Sequence, residues 1–216
     1  MRPARSSLAG LQNFVASLGA AMADHPDADL QQAIASTRRM QAMINEVVAV
    51  LRDEEGAGQY EIPVAELIGF ITAKVQTLCR ERGVELITTL PPPEVLPNRA
   101  ANLVALILAN LVQNAIEATP PGKVVNLSLA LERENLVCEV RDQGAGLPAR
   151  RNVFVPCRSL KEGGSGIGLA ISKQLANHLG AALELLHNSP AGCTFGLSLP
   201  ASLWKTKTRS VTLTLG

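Results

Sequence analysis

The sequence lacks the motifs of several widespread nucleotide and metal sites. No G-x-x-x-x-G-K-[ST] segment occurs, which excludes a P-loop. The glycines at 164, 166 and 168 have G-x-G-x-G spacing and no preceding β-α-β pattern, so they do not fit the G-x-G-x-x-G loop of dinucleotide-binding folds. The four cysteines show no C-x-x-C spacing, which removes the usual structural zinc sites.

Charge is also scarce, and a net charge of +1 gives no electrostatic reason to expect nucleic acid or an anionic membrane as a partner. Because 47% of the 216 residues are hydrophobic, the chain can bury a core in one large or two small domains. The most apolar stretch, 101–112, is too short to cross a bilayer, and the N-terminus has no signal-peptide pattern. Cys138 and Cys193 fall in apolar strand patterns, where a reduced cysteine acts as a small hydrophobic residue. We therefore predict a cytoplasmic protein with no membrane segment in this chain.

The N-terminal quarter has the periodicity of two amphipathic helices, over 5–23 and about 27–52. A hairpin of two such helices cannot cover its own apolar faces, so pairing with a second copy into a four-helix bundle is the simplest solution. The alternative is that both helices pack onto the rest of the chain. Residues 54–58 form a flexible break. We predict a dimerisation hairpin over 1–55, a second domain over 56–200 and a tail over 201–216.

The second domain alternates helical and strand patterns. We predict helices over 63–82, 97–119 and 166–179, strands over 84–90, 124–131, 135–141, 182–188 and 193–199, a stiff connector at 91–93 and a long loop over 143–164. A loop of that length usually has a function. These elements predict an α+β fold in which helices cover a sheet.

Polar side chains interrupt the most apolar of these helices near its end. Asn110, Asn114 and Glu117 lie about one turn apart on one face. Burying carboxamides and a carboxylate is costly unless something binds them, although Asn is also tolerated at an ordinary helix end. On these residues alone both interpretations stay open.

Further motifs follow in a fixed order. Asp142-Gln-Gly-Ala-Gly146 comes directly after a predicted strand, and Gly163-Gly-Ser-Gly-Ile-Gly-Leu169 opens a predicted helix. Phe154 to Lys161 lies between the glycine motifs, and Gly192-Cys-Thr-Phe195 follows them. This series resembles the nucleotide-binding domain of the GHKL superfamily, and most closely that of two-component sensor histidine kinases. The resemblance implies a GHKL α/β sandwich (Bergerat fold), ATP and Mg²⁺ as ligands, and dimerisation through the N-terminal hairpin.

The resemblance assigns roles to these residues. Asp142 is expected to accept a hydrogen bond from the exocyclic adenine amine, a role suited to a carboxylate, although Asp-x-Gly is also a common turn. Asn114 is expected to hold Mg²⁺ with its carbonyl oxygen. Lys161 and the amides at the start of the last helix are expected to contact the phosphates, although Lys161 is also compatible with an ordinary solvated lysine. The predicted nucleotide-binding set is Asn110, Asn114, Glu117, Asp142, Gly144, Gly146, Lys161, Gly164, Ser165, Gly166, Ile167, Gly168, Leu169 and Thr194.

One position separates kinases from ATPases within this superfamily. Members that hydrolyse ATP carry a glutamate one turn before the magnesium asparagine, as the general base for water. The corresponding residue here is Asn110, which cannot accept a proton. Neutral imidazole is already nucleophilic, so a histidine acceptor needs no such base. The sequence departs from the family at Cys157 and Leu160, both in the long loop over 143–164 that the resemblance implies to be a lid over the nucleotide.

The expected phosphoacceptor is missing. Aligning Arg5-Ser-Ser-Leu8 with the family motif puts Arg2 where the histidine belongs, and a guanidinium stays protonated. His25, His178 and His187 lie elsewhere and fit structural or solvated positions better.

Three interpretations follow. The first is a histidine-kinase-like protein that binds Mg-ATP for phosphotransfer to a response-regulator receiver domain, with its own acceptor lost, replaced or on another chain. The second is a non-catalytic dimeric regulator that binds nucleotide or a receiver domain. The third is an anti-sigma-type serine kinase, against which the helical hairpin counts. Because family members commonly carry membrane or sensory segments upstream, we also expect either a soluble regulator or part of a longer protein.

Overall fold

The structure is a computed structural model, and it describes residues 45, 60–89, 93–147, 153–154 and 168–206. The predicted N-terminal hairpin and Arg2 lie outside these residues, apart from Asn45, which is helical and exposed. Contacts divide the chain into two compact units, residues 1–53 with 151–171 and residues 54–150 with 172–216. The first unit is described only at Asn45, residues 153–154 and residues 168–171. The predicted domain boundaries stay a prediction.

Apart from Asn45, the described part of the chain contains three α-helices, one short 3₁₀ helix and eight strands. In order they are β1 (Glu61–Pro63), α1 (Val64–Arg82), β2 (Glu85–Thr88), β3 (Glu94–Pro97), α2 (Asn98–Ala118), β4 (Val124–Glu132), β5 (Asn135–Arg141), α3 (Gly168–His178), β6 (Ala182–Ser189), β7 (Gly192–Pro200), a short 3₁₀ helix (Ala201–Leu203) and β8 (Lys205–Thr206). The longer elements agree with the predicted ones to within a few residues at each end.

The larger sheet has five strands in the order β2-β4-β5-β7-β6, with β2 and β4 parallel and the other pairs antiparallel. Its register aligns apolar side chains in rows, because alternate residues of paired strands share a face. One row joins Leu129, Cys138, Leu197 and Leu183, all of them buried. Burial raises the pKa of the Cys138 thiol to about 12, so this side chain stays neutral and packs as a small hydrophobic residue.

Helix α2 is the centre of the core. It contacts α1 along one side and strands β3, β4 and β5 along others, which explains why buried residues occur nearly all round it rather than on one stripe. Leu106 is an exception on this apolar helix, since it is only half-buried, whereas Val104 and Leu108 are fully buried. By length and composition α2 is also the one described helix that could cross a membrane, but 67% of its most apolar window is buried inside the protein.

Helix α1 has the amphipathic pattern that the sequence predicts. Its buried residues, Val64, Leu67, Ile68, Ile71 and Val75, recur at helical spacing. The helix ends at Gly83, whose φ of 63° is the left-handed conformation that glycine adopts without strain. The amide of Gly83 donates to the carbonyl of Arg80 at 3.3 Å and closes the last turn.

A second, three-stranded sheet was not predicted. Its order is β1-β3-β8, and both pairs are antiparallel. Each strand has only two to four residues, too few to show an alternation, and prolines end both β1 and β3. The sheet gives residues 201–206 of the predicted tail a structural role, because the chain turns through the 3₁₀ helix and pairs as β8 with the central strand β3.

Two buried polar atoms in this region have no hydrogen-bond partner among the described residues: Oε2 of Glu94 and Nε1 of Trp204. Glu94 is 1% exposed and lies on β3, paired through its Cα with Thr206. Extending that register by one residue beyond Lys205 places Trp204 opposite Leu96, diagonal to Glu94 on the ladder.

Candidate functional site

The polar residues near the end of α2, Asn110, Gln113, Asn114 and Glu117, are half-buried. Nδ2 of Asn110 donates to Oγ of Ser172 at 2.9 Å, and Nε2 of Gln113 donates to Oε1 of Glu117 at 3.0 Å. Asn110, Asn114 and Glu117 therefore lie on the last three turns of the core helix, neither fully buried nor fully exposed. A bound ligand can reach side chains in such positions while the helix backbone stays fixed by packing.

Asp142 directly follows β5 and is held in place by backbone groups. Its amide donates to the carbonyl of Cys193 at 2.9 Å. Its Oδ1 accepts from the amide of Gly144 at 2.8 Å and from the amide of Cys193 at 3.1 Å. The side chain is only 7% exposed. The first bond fixes the backbone of Asp142, and the other two fix its carboxylate, between the end of β5 and the start of β7.

Gly144 and Gly146, which follow Asp142, are required by close packing of the backbone within the protein. A Cβ on Gly144 would lie 2.7 Å from the carbonyl oxygen of Ala118, the last residue of α2. Gly146 has a φ of 77°, and a Cβ there would clash with the carbonyl of Ser189. In the structure they let the Asp142 segment pack against the end of α2 and the end of β6.

Gly192 shows the same close packing from the other side. Its φ is 134°, and a Cβ at this position would clash with the carbonyl oxygen of Asp142. The neighbouring Thr194 is buried and pairs with Arg141 across β5 and β7. The predicted residues Asp142, Gly144 and Thr194 are thus brought together at one end of the five-stranded sheet, beside the end of α2.

Two residues that the sequence analysis missed also shape this region. Asn188 on β6 donates through Nδ2 to the carbonyl of Leu147 at 2.9 Å and accepts through Oδ1 from the amide of Leu147 at 2.8 Å. This pair of bonds fastens the chain just after Gly146. Ser172 on α3 accepts the hydrogen bond from Asn110 and is 1% exposed. A signal for Ser172 was present, since it falls on the helical stripe that also contains the buried Leu175 and Ala176.

Several predicted site residues lie outside the part of the chain that the structure describes. Lys161, Gly164, Ser165, Gly166 and Ile167 lie outside the described residues, and so do Arg2 and His25. Gly168 and Leu169 begin α3. Of the other histidines, His178 is exposed with its Nε2 3.1 Å from Nη2 of Arg99, and His187 is exposed on β6.

Known proteins are similar to this region in both sequence and fold. Residues 100–203 match the family model for histidine kinase-, DNA gyrase B- and HSP90-like ATPases. The sensor histidine kinase MtrB of Mycobacterium tuberculosis is 30% identical over 173 residues, which cover 75% of this chain and 30% of MtrB. The sensor-like histidine kinase SenX3 of Mycolicibacterium smegmatis is 27% identical over 204 residues, covering 88% of this chain and 53% of SenX3. This chain carries a GHKL catalytic domain of the two-component histidine kinase type.

Solved structures agree with that assignment. The mycobacterial sensor histidine kinase MprB superposes with a TM-score of 0.54 at 27% identity, over 66% of this chain and 97% of the MprB chain. The full-length protein ShkA, solved in complex with AMPPNP, has a TM-score of 0.61 at 20% identity, over 90% of this chain and 45% of ShkA. The α+β sandwich predicted from the sequence is thereby confirmed. The chain spans about 30% of the length of the MtrB relatives that it matches.

The matched region of the GHKL catalytic domain contains α2 from its third residue, the Asp142 segment and β7. No cluster of three or more His, Cys, Asp or Glu side chains suited to a metal occurs in the part of the chain that the structure describes. A carboxamide-based site of the kind predicted around Asn114 would not form such a cluster. It fits Mg²⁺ that keeps most of its waters and is bound mainly through phosphates.

Proposed function

We propose that this chain binds Mg-ATP at the end of α2 and the Asp142 segment, and serves as the catalytic part of a cytoplasmic histidine-kinase-type phosphotransferase. The observation that carries the proposal is the fixed carboxylate of Asp142 beside an asparagine-bearing core helix, within a GHKL domain. Free cysteines at 79, 138 and 193 agree with a reducing compartment.

The carboxylate of Asp142 suits adenine recognition. Both hydrogen bonds that it accepts within the described residues go to Oδ1, which leaves Oδ2 to accept from a ligand. A carboxylate only accepts, so it pairs with the exocyclic amine of adenine and not with the carbonyl oxygen that guanine has at that position. Because backbone amides already hold Asp142, little ordering is needed when the base binds.

Magnesium and phosphate would be held by the other residues. Asn114 offers a hard carbonyl oxygen to Mg²⁺, and Asn110 and Glu117 would support the ion directly or through water. Lys161 and the glycine motif from Gly164 to Gly168 would bind the phosphates through charge and backbone amides. The magnesium would neutralise phosphate charge and orient the γ-phosphate. The chain's own groups would hold the base and exclude water.

Asn110 favours phosphotransfer to a protein over hydrolysis. A carboxamide is not a general base, and the Nδ2 of Asn110 already donates to Ser172. Water bound near the γ-phosphate would therefore lack a proton acceptor at this position.

The acceptor of the phosphoryl group is a separate question, because Arg2 occupies the expected histidine position. We propose a homodimer through the N-terminal hairpin and a response-regulator receiver domain as partner, with the phosphoacceptor on another chain. A non-catalytic nucleotide-binding regulator is the second candidate, favoured by the missing histidine. A serine kinase of the anti-sigma type is the third.

Adenine recognition is tested with Asp142→Asn. The asparagine can still accept from Gly144 and Cys193 through one oxygen, so the fold should persist, but its other atom becomes a donor. We expect affinity for ATP to fall about 10- to 100-fold and the preference for ATP over GTP to shrink. Calorimetric titration measures both nucleotides, with Glu139→Gln on the same strand as the matched control. ATP binding equal to that of the wild type would rule out this site.

Phosphotransfer is tested by incubation with γ-labelled ATP and Mg²⁺, followed by acid and alkali treatment. An acid-labile, alkali-stable label on this chain would show that one of its histidines is used. ATP binding without any label on this chain agrees both with a phosphoacceptor on another chain and with the regulator. Label that appears on an added partner protein would then support the kinase, and its absence would support the regulator.

A further inference from the structure

Ser172 is an unusual residue for its position. It is 1% exposed on α3, where its neighbours on the buried stripe are apolar. A hydroxyl buried to this extent needs a hydrogen-bond partner, and Ser172 finds it in Asn110, 62 residues earlier in the chain, at 2.9 Å. The bond links α3 to the polar face of α2.

We propose that Ser172 is a positioning residue of the nucleotide site, which orients the Asn110 carboxamide so that its oxygen can accept from a magnesium-bound water. The inference rests on the proposed function. With Nδ2 donated to Ser172, the only remaining polar atom of the Asn110 amide is its Oδ1, an acceptor. Asn110 lies one turn before Asn114 on the same helical face, so an acceptor there is suited to a water in the magnesium shell.

A simple packing role for Ser172 makes a different prediction. If the hydroxyl only fills space between α2 and α3, removing it lowers stability and weakens every nucleotide complex equally. If it orients Asn110, the loss appears in the magnesium complex, because only that complex presents metal-bound water to Oδ1.

The test measures ATP affinity of the full chain with Mg²⁺ and in EDTA, for the wild type, Ser172→Ala, Asn110→Ala and the double variant. We expect Ser172→Ala to lower Mg-ATP affinity about 3- to 10-fold, with little change in EDTA. The double variant should bind no more weakly than Asn110→Ala, since Ser172 acts through Asn110. Ser172→Thr, which keeps the hydroxyl, should restore most of the affinity.

Three outcomes would overturn the inference. They are normal Mg-ATP affinity in Ser172→Ala, an equal loss with and without Mg²⁺, and additive effects in the double variant. Should Ser172→Ala not fold, Ser172→Cys keeps a similar shape with a weaker hydrogen-bonding group and gives the same comparison. Failure of the wild type to bind ATP at all would instead refute the proposed function, and this inference with it.

Discussion

The two sheets of this domain differ in strand length and in how completely their buried polar groups are hydrogen-bonded. The five-stranded sheet has long strands, a continuous register and rows of apolar side chains on its buried face. The three-stranded sheet has strands of two to four residues, and this region leaves Glu94 and Trp204 with buried polar atoms that lack a partner among the described residues. Long strands in regular register align apolar side chains on the buried face, whereas the short strands lie beside two buried polar side-chain atoms without a partner among the described residues.

The two sheets also differ in what they contribute to the candidate site. The larger sheet places Asp142 directly after β5 and Thr194 on the adjacent strand β7. The candidate site is therefore built where these two strands pair in regular register. The smaller sheet contributes none of the predicted site residues. We expect the larger sheet to set the stability of the domain and the smaller one to modulate it.

The largest effect is expected from Leu127→Ala on β4, where the leucine is fully buried. Removing it should cost about 2–5 kcal/mol, since the lost contacts leave a cavity. Leu131→Ala on the same strand, where the leucine is 43% exposed, is the matched control and should cost less than about 1 kcal/mol. Urea denaturation measures both. Equal losses would mean that burial in this sheet does not determine its stability.

The same experiment compares the two sheets directly. Trp204 is the only tryptophan and lies beside the smaller sheet, so its fluorescence reports that region, while far-ultraviolet circular dichroism reports the whole domain. If the sheets unfold as one unit, Leu127→Ala shifts both transitions equally. A fluorescence transition that stays in place would show that the smaller sheet unfolds independently.

A second, smaller effect concerns Gly192→Ala at the start of β7. A Cβ there would meet the carbonyl of Asp142 at a φ of 134°, so we expect a loss of about 2–3 kcal/mol together with weaker ATP binding. Gly180→Ala is the control, because Gly180 also has a positive φ of 67° but no atom within 4 Å of an added Cβ. It should cost about 1 kcal/mol and leave ATP binding unchanged. Equal effects of the two substitutions would show that strain, and not the contact with Asp142, is what matters.

The smallest effect is a gain. Glu94→Gln should raise the free energy of unfolding by about 1 kcal/mol. The buried side chain of Glu94 has an oxygen, Oε2, without a partner among the described residues, and the substitution replaces this carboxyl group by a neutral amide. Glu85→Gln on the exposed strand β2 neutralises a solvated carboxylate and should change stability by less than about 0.5 kcal/mol. A loss of stability in Glu94→Gln would show that the carboxylate has a partner that stabilises it.

Prediction from the sequence succeeded where a pattern is local. Helix α1 and strands β4 and β5 follow directly from periodicity, since each buries one set of evenly spaced side chains. Candidate site residues could be selected because carboxamides on an apolar helix and Asp-x-Gly-x-Gly after a strand are local signals too. Their assignment to ATP and Mg²⁺ came from the resemblance to a family, and it stays a prediction.

The sequence by itself determined the composition of the core, the order of the longer elements and the identity of the polar residues near α2 and β5. Only the tertiary structure decided that α2 is buried nearly all round, that short strands far apart in the chain pair as β1-β3-β8, and that Ser172 meets Asn110. It also decided why Gly144 and Gly192 are glycines, since their constraint is a carbonyl from another segment. The physical reason is the same in each case: these features depend on contacts between residues distant in sequence, and no local period or propensity encodes which distant groups will meet.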